Sequence, residues 1–493
     1  MKRTKEIFFQ VGVYTGSTFL TQLITLFTAV ISRRILGPVQ TGIWTTLQVI
    51  VDYSKYSTLG IMSAVNRDIP YYLGKKDERQ AHELKNLAFS FILASSSLIA
   101  LGIVAFAVLA RHWFRQEIVW GLFLIAAIVI LQRINNILIS LLRSFKKFHV
   151  EASQMIFSAI VNAILVVLLS YRFQIYGFIF AMALSFLFNI VYLFMKYPFD
   201  FHWILDFKKL RPLFVFGFPL MSLGLLMAVV KSLDRIMLAK YLGFQAVGLY
   251  SIALMACSFI SNFSISFATI LFPHAQEKFA LAENPQGMAE YIKKSSAGYA
   301  LILPLLIAAA AFLTPFVVIG FLPQFISSIL TLRILVLSSF FIALLQPYND
   351  FLITIRRHLV LFPFWGVSIL ISWQCYYWVA RLGGGISGFA IATTAIFFLM
   401  FTGLFFIAGH YLRDPKAVWE GYWKLMTCFA FLSFFVLILI KYFSSTEITL
   451  AGLLCQGGIY MIFCCPIVFI LNRKFHILEI LREKLKQGDR KHA

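Results

Sequence analysis

Lys231, Asp234 and Arg235, in the stretch KSLDRIMLAKYLG, follow the uncharged run FVFGFPLMSLGLLMAVV at spacings that put all three on one helix face. A charge in the middle of a membrane-spanning helix costs about 2.5–3.5 kcal/mol, so such a residue faces a partner or a polar cavity. Gln48, Asp52 and Lys55 repeat the pattern, Arg133 and Asn136 share a face beside Gln132 and Asn135, and Ser258, Asn262 and Ser266 make a milder polar stripe. Together they point to a hydrated, positive cavity lined by Lys55, Arg133, Asn136, Lys231, Arg235 and Asn262. Arg and Lys are the natural partners of phosphate oxygens, so the chemistry on offer is recognition of an anion.

Asp52 and Asp234 admit two readings. Either they couple a proton or a cation to transport, or they form structural ion pairs, Asp52 with Lys55 and Asp234 with Lys231 or Arg235, that fix helix register. The balance within apolar runs favours a cavity, because about five cations (Lys55, Arg133, Lys231, Arg235 and Arg333) stand against these two anions. Arg33 and Arg34 belong at the outer mouth, where snorkelling to lipid headgroups explains them equally well. The cysteines (Cys257, Cys375, Cys428, Cys455, Cys464 and Cys465) lie in apolar segments without CxxC spacing, and His82 with Glu83 does not make HExxH. Gly383–Gly385 lacks the Lys and Ser/Thr of a phosphate loop. No metal, cofactor or enzymatic activity is expected.

The elements that must hold these residues are helices in a membrane. Of the 493 residues 60% are hydrophobic and 13% charged, where a soluble domain is about a quarter charged. Apolar runs of about 18–25 residues recur from end to end, each long enough for a hydrocarbon core of about 30 Å. The expected fold class is all-α, a polytopic membrane protein of about 14 transmembrane helices. The net charge of +22 does not indicate nucleic acid, because about 30 of the 43 Lys and Arg fall in one alternate set of connections and about 8 in the other. By the positive-inside rule both termini are cytoplasmic, and the first apolar run reads as a retained helix and not a cleaved signal.

RRILGPVQTGIW (33–44) aligns with AKYLGFQAVGLY (239–250) at an offset of about 206, pairing Leu36 with Leu242, Gly37 with Gly243 and Gly42 with Gly248. Two parallel, pseudo-symmetric six-helix lobes follow from this repeat. The N-lobe takes 1–196, an interfacial linker 197–211, the C-lobe 212–410, two more helices 411–471 and a basic amphipathic tail 472–493. The second span is placed at 39–63, the tenth at 326–346 and the fourteenth at 448–471.

RRILGPVQTGIW with LGIMSAVNRDIPYYLGK, and LDRIMLAKYLGFQAVGLYSIA, resemble the Wzx-type oligosaccharide flippases, polysaccharide biosynthesis transporters of the multidrug/oligosaccharidyl-lipid/polysaccharide exporter superfamily. The resemblance covers most of the chain and is strongest in spans one, two, seven and eight. It implies two lobes around a central cavity that opens alternately to the two membrane faces. The substrate it implies is a glycan linked through pyrophosphate to a polyprenol, flipped from the inner to the outer leaflet. The Asp234 and Arg235 pair matches a pattern of that family. The partners implied are the lipid-linked glycan, membrane lipid, and a glycan polymerase or other assembly proteins, in the cytoplasmic membrane of a prokaryote. Two alternatives stand beside this reading. A cation-coupled multidrug exporter of the same superfamily would set acidic residues against a cationic substrate. A membrane-embedded glycan-assembly enzyme would need an interfacial carboxylate site or a large outer loop.

Overall fold

Apolar residues at helical spacing make helices of nearly the whole chain. The structure, a computed structural model, describes residues 2–282, 285–412, 415–442, 457–464 and 466, with backbone only over 2–15, 263, 265–282, 285–290, 415 and 417. No strand occurs among the described residues. The helices are α1 Lys2–Ser54, α2 Ile61–Gly74, α3 Glu78–Leu109, α4 Gln116–Ser144, α5 Phe148–Lys196 and α6 Phe207–Tyr241. They continue with α7 Gly243–Ala282, α8 Pro285–Phe321, α9 Ile329–Thr354, α10 Leu361–Arg381, α11 Gly385–Leu412 and α12 Pro415–Tyr442. Most of the expected fourteenth span, Cys465 and the tail 472–493 lie outside the described residues.

Eleven stretches among the described residues are long and apolar enough to cross a membrane. Two of them, Gly16–Thr58 and Phe148–Lys196, run to 43 and 49 residues, about twice what one crossing needs. Each contains one non-helical residue. Gly37 (φ 67°) breaks α1, and Pro38 follows it, where a missing N–H needs no partner because a helix is starting. Gln174 (φ 52°) breaks α5, and its Oε1 accepts a hydrogen bond from Gln40 Nε2. Each bend replaces an expected loop with a single residue.

The chain divides into two compact units, Met1–Gly248 and Leu249–Ala493. In the first, Ile43, Leu47 and Val51 recur every four residues along α1 and pack with Leu122, Ile125 and Val129 of α4 and Ile175 and Ile179 of α5. Ile61, Ala64, Val65 and Ile69 give α2 one apolar face, packed with Leu84 and Leu87 of α3, Leu141 of α4 and Leu213 of α6. Lipid is as apolar as leucine, so these stripes are held by close packing more than by exclusion of water.

Glycines set the closest approaches. A Cβ on Gly60 (φ 84°) would lie 2.2 Å from the carbonyl carbon of Gly217 in α6, and one on Gly217 would lie 2.3 Å from the Gly60 carbonyl oxygen. The opening turn of α7 also belongs to this unit, and there the aligned segments meet. A Cβ on Gly42 would lie 1.7 Å from the Phe244 carbonyl oxygen, and one on Gly248 1.8 Å from that of Pro38. Pro38 and Phe244 are counterparts under the same offset, so the contact is reciprocal.

Between α5 and α6 the extended strap Tyr197–Asp206 lies along α3. Lys85 Nζ donates to the Asp200 carbonyl, Asn86 Oδ1 accepts from His202 N at 3.3 Å, and Ser90 Oγ accepts from Ile204 N at 3.0 Å. Asp200, His202 and Ile204, alternate residues of the strap, thus each meet one polar residue in the first half of α3. Phe201 stacks on Phe89 at 3.9 Å, and Asp206 caps α6 by accepting from Lys208 N at 2.9 Å. In the second unit α9 is the most buried helix, with Phe341 against Phe401 of α11 and Phe429 of α12.

Candidate functional site

The second half of α1 does not run straight into α2. It passes through a 3-10 turn, Lys55–Thr58, and then Leu59 (φ 46°) and Gly60 (φ 84°), both left-handed. Left-handed backbone costs an L-residue such as Leu59 about 1–2 kcal/mol, so the break is held in place by its neighbours. That neighbour is α6. The Tyr53 hydroxyl and Ser232 Oγ are 2.5 Å apart, Tyr56 Oη donates to the Gly224 carbonyl at 2.7 Å, and Gly60 rests on Gly217. Gly217, Gly224 and Ser232 follow at steps of about two turns, which keeps them on one side of α6.

Charges gather on this seam. Arg235 Nη1 lies 3.9 Å from Asp52 Oδ2. Arg133 of α4, 6% exposed, feels the Asp52 charge as well, donates to Gln132 Oε1 at 2.6 Å, and leaves its Nε without an acceptor. The Nε of Arg235 is buried without an acceptor too. Lys55 and Lys231 are exposed and close enough to repel each other, and among the described residues neither has a carboxylate partner. Asp234 turns inward, 3% exposed, and its Oδ1 accepts from the Arg235 backbone N–H at 2.7 Å. The half-exposed Asp52 thus has Arg235 at 3.9 Å and Arg133 within electrostatic reach, Lys55 follows it one turn later, and among the described residues two guanidinium groups carry an N–H donor to spare. Such a cluster can hold a phosphate group, since charge-assisted bonds from Arg to phosphate are among the strongest available to side chains.

Of the other expected residues, Asn136, Arg33 and Arg34 belong to the first unit and Asn262 to the second. Asn136 is half-buried on α4. Asn262 is exposed on α7 in the second unit. Arg33 donates to the Ala29 carbonyl at 3.1 Å, one turn before the Gly37 break, and Arg34 is exposed next to it.

Three features escape sequence reading. Tyr53 and Tyr56 fasten α1 to α6, although their hydroxyls look like ordinary interfacial aromatics in sequence. Asn135, Asn189 and Gln154 form a buried chain of side-chain amides, Asn189 Nδ2 to Asn135 Oδ1 at 2.7 Å and Gln154 Nε2 to Asn189 Oδ1 at 3.1 Å. In the second unit Asp350, 9% exposed, accepts from Tyr291 Oη at 3.1 Å and Gln346 Nε2 at 2.9 Å. Its signal was the YND triplet at the end of an apolar run.

Comparison with known proteins agrees with this architecture. The inward-facing form of a multidrug resistance MATE family transporter of the MOP superfamily is similar at TM-score 0.66 and 13% identity, over 80% of this chain and 96% of that one. The lipid II flippase MurJ in its inward closed conformation is similar at TM-score 0.65 and 17% identity, over 94% and 99% of the two chains. A MOP superfamily transporter from Pyrococcus furiosus, described by the reverse polarity of its binding pocket, is similar at TM-score 0.53 and 14% identity, over 82% and 94%. No curated protein sequence matches. At such identities the likeness establishes the fold, a multi-pass helical architecture shared with these transporters. The family described as polysaccharide biosynthesis protein matches residues 31–330, from just before the Gly37 break of α1 to the first turn of α9. The match spans more than half of the chain, on the fold that the helices themselves display, and the chain belongs to the polysaccharide biosynthesis protein family.

Proposed function

We propose that this protein flips polyprenyl-pyrophosphate-linked oligosaccharide from the cytoplasmic to the outer leaflet of a prokaryotic cytoplasmic membrane, by alternating access of a cationic cavity. The observation that carries the reading is the charge balance at the α1–α6 seam. Lys55 and Lys231 lack a carboxylate partner among the described residues, and Arg133 and Arg235 have N–H donors without acceptors. Cations left so need an anionic visitor. A pyrophosphate brings about two negative charges, and moving them outward at an inside-negative 100 mV releases about 4.6 kcal/mol. Asp52 competes with that anion for Arg235, which keeps binding weak enough for release. Asp234 is the second acidic residue to test for ion coupling. Asn136 and Asn262 supply neutral hydrogen bonds suited to sugar hydroxyls. The cation excess disfavours a cationic drug as substrate, and we assign the protein no enzymatic step.

The test is flipping of a fluorescent polyprenyl-pyrophosphate glycan in proteoliposomes by the native chain, Lys231→Ala and Arg235→Ala. A lost charge-assisted bond costs about 1.5–3 kcal/mol, so each variant should flip about tenfold to a hundredfold more slowly while eluting as a folded protein. Equal rates in all three would reduce the cluster to a structural role. An inactive native chain would overturn the proposed substrate.

A further inference from the structure

Three helix-to-helix turns share one backbone. In each, three successive N–H groups donate to carbonyls four, three and five residues back. Lys75, Lys76 and Asp77 reach Tyr71, Leu73 and Tyr72; Phe145, Lys146 and Lys147 reach Leu141, Arg143 and Leu142; Ile355, Arg356 and Arg357 reach Phe351, Ile353 and Leu352. The middle residue is left-handed every time, Lys76 at φ 61°, Lys146 at φ 59° and Arg356 at φ 59°. A fourth turn repeats the same bonds, Leu382, Gly383 and Gly384 to Trp378, Ala380 and Val379, and its left-handed residue is Gly383 at φ 71°.

Glycine is the residue this position favours, because any Cβ there is strained. The fold meets that preference at one turn and overrides it at three, each time with a cation. In the first unit Lys76 and Lys146 flank the antiparallel pair α3 and α4, and in the second α10 alone separates Arg356 from Gly383. Lys76 and Lys146 therefore share one membrane face of the first unit, and Arg356 and Gly383 lie at opposite ends of one span in the second.

Each basic turn has a second cation set over a tyrosine ring. Lys75 Nζ is 4.6 Å from the centre of Tyr71, Lys147 Nζ 6.0 Å from Tyr197, and Arg357 Cζ 5.7 Å from Tyr411. Tyrosines at span ends sit at the level of lipid headgroups, which sets the height of the turns. The Tyr71 hydroxyl, hydrogen-bonded to Lys75, holds that ammonium above its ordinary value. The left-handed cations are exposed and have no carboxylate partner among the described residues.

We propose that Lys76, Lys146 and Arg356 bind the phosphates of anionic phospholipid headgroups, each held clear of its helix end by the left-handed turn. The left-handed residue sits between two helix ends, and its cation is exposed there. The proposal is independent of the flipping reaction, and the pyrophosphate of a lipid-linked substrate is the other source of the same chemistry.

The full chain would be melted in nanodiscs of phosphatidylcholine alone or with phosphatidylglycerol, beside the triple variant Lys76→Gly/Lys146→Gly/Arg356→Gly. In phosphatidylcholine the variant should melt at or above the native chain, because glycine relieves the turns. Phosphatidylglycerol should raise the native Tm, and the variant should lose at least half of that rise. A charge-matched pair completes the test: Gly74→Lys/Lys76→Gly keeps the net charge, and a Cβ on Gly74 meets nothing within 4 Å. It should lose as much of the rise as Lys76→Gly alone. An undiminished rise in the triple variant, or a swap that behaves as native, would reduce the cations to net charge and overturn the proposal. A triple variant that melts lower in phosphatidylcholine would make the cations structural and overturn it equally. Stabilisation by polyprenyl pyrophosphate but not by phosphatidylglycerol would move the phosphate to the substrate and overturn the lipid assignment.

Discussion

Asp52 stands where three helices bring their charges, with Arg235 of α6 at 3.9 Å and Arg133 of α4 within electrostatic reach. Its side chain is 42% exposed, so the pair adds only about 0–1 kcal/mol to stability. Asp52→Asn should therefore shift melting by no more than about 4 °C. It removes the competitor for Arg235, and binding of polyprenyl pyrophosphate should tighten about fivefold, the equivalent of about 1 kcal/mol. Titration followed by intrinsic tryptophan fluorescence reads this directly, and weaker binding would show that Asp52 helps to hold the anion. The charged residues were legible in the sequence because an apolar surrounding makes any charge conspicuous. Their partners were not, since Asp52 meets Arg235 across the fold and not Lys55 three residues on. Asp350 escapes because the apolar pattern ends the tenth span at 346, whereas α9 carries Pro347 in its buried interior and continues to Thr354.

At the scale of elements, the seam between α1 and α6 depends on two glycines touching through their backbones. Gly217→Ala would drive a Cβ to 2.3 Å from the Gly60 carbonyl oxygen, an overpacking that costs about 1–3 kcal/mol. Gly60→Ala adds a left-handed alanine, about 1–2 kcal/mol more. The double variant should cost less than the two losses combined, because the first separation makes room for the second methyl group. Gly74→Ala, with open space around its Cβ, is the control and should be neutral or mildly stabilising. Denaturation midpoints in detergent rank these variants, and a native-like Gly217→Ala would mean that the seam is looser than described. Helices were legible here from hydrophobic periodicity, but the joints were not. The second span was expected to begin at 39 after a connection, whereas α1 runs through with one non-helical residue, Gly37, and Pro38 after it. The expected linker was 197–211, and the strap described above covers Tyr197–Asp206, α6 starting at Phe207. The docking of the strap was not legible, because Lys85, Asn86 and Ser90 look like the polar opening of any helix.

For the whole molecule, charge is the governing pattern. At 17% identity the likeness to the lipid II flippase MurJ is one of fold alone, and the side on which the cations fall is read from this chain's own sequence. The positive-inside rule then predicts orientation. Topology reporters placed after Lys76, Lys146 and Arg356 should report the cytoplasm, and reporters at Trp113 and Gly384 the opposite side. The reverse pattern would invert the protein and, with it, the proposed direction of flipping. The α1–α6 seam has, in addition, a history in time. Tyr53 and Ser232, which end up in contact, are 179 residues apart. A ribosome adding about 5–20 residues per second needs roughly 10–35 s to make that stretch. For most of that interval Asp52 and Lys55 have been synthesised while α6, which starts at Phe207, does not yet exist. The second half of α1 must therefore be kept at the insertion machinery or the headgroup layer until its partner emerges, so the pace of translation helps to decide whether this half of the protein assembles.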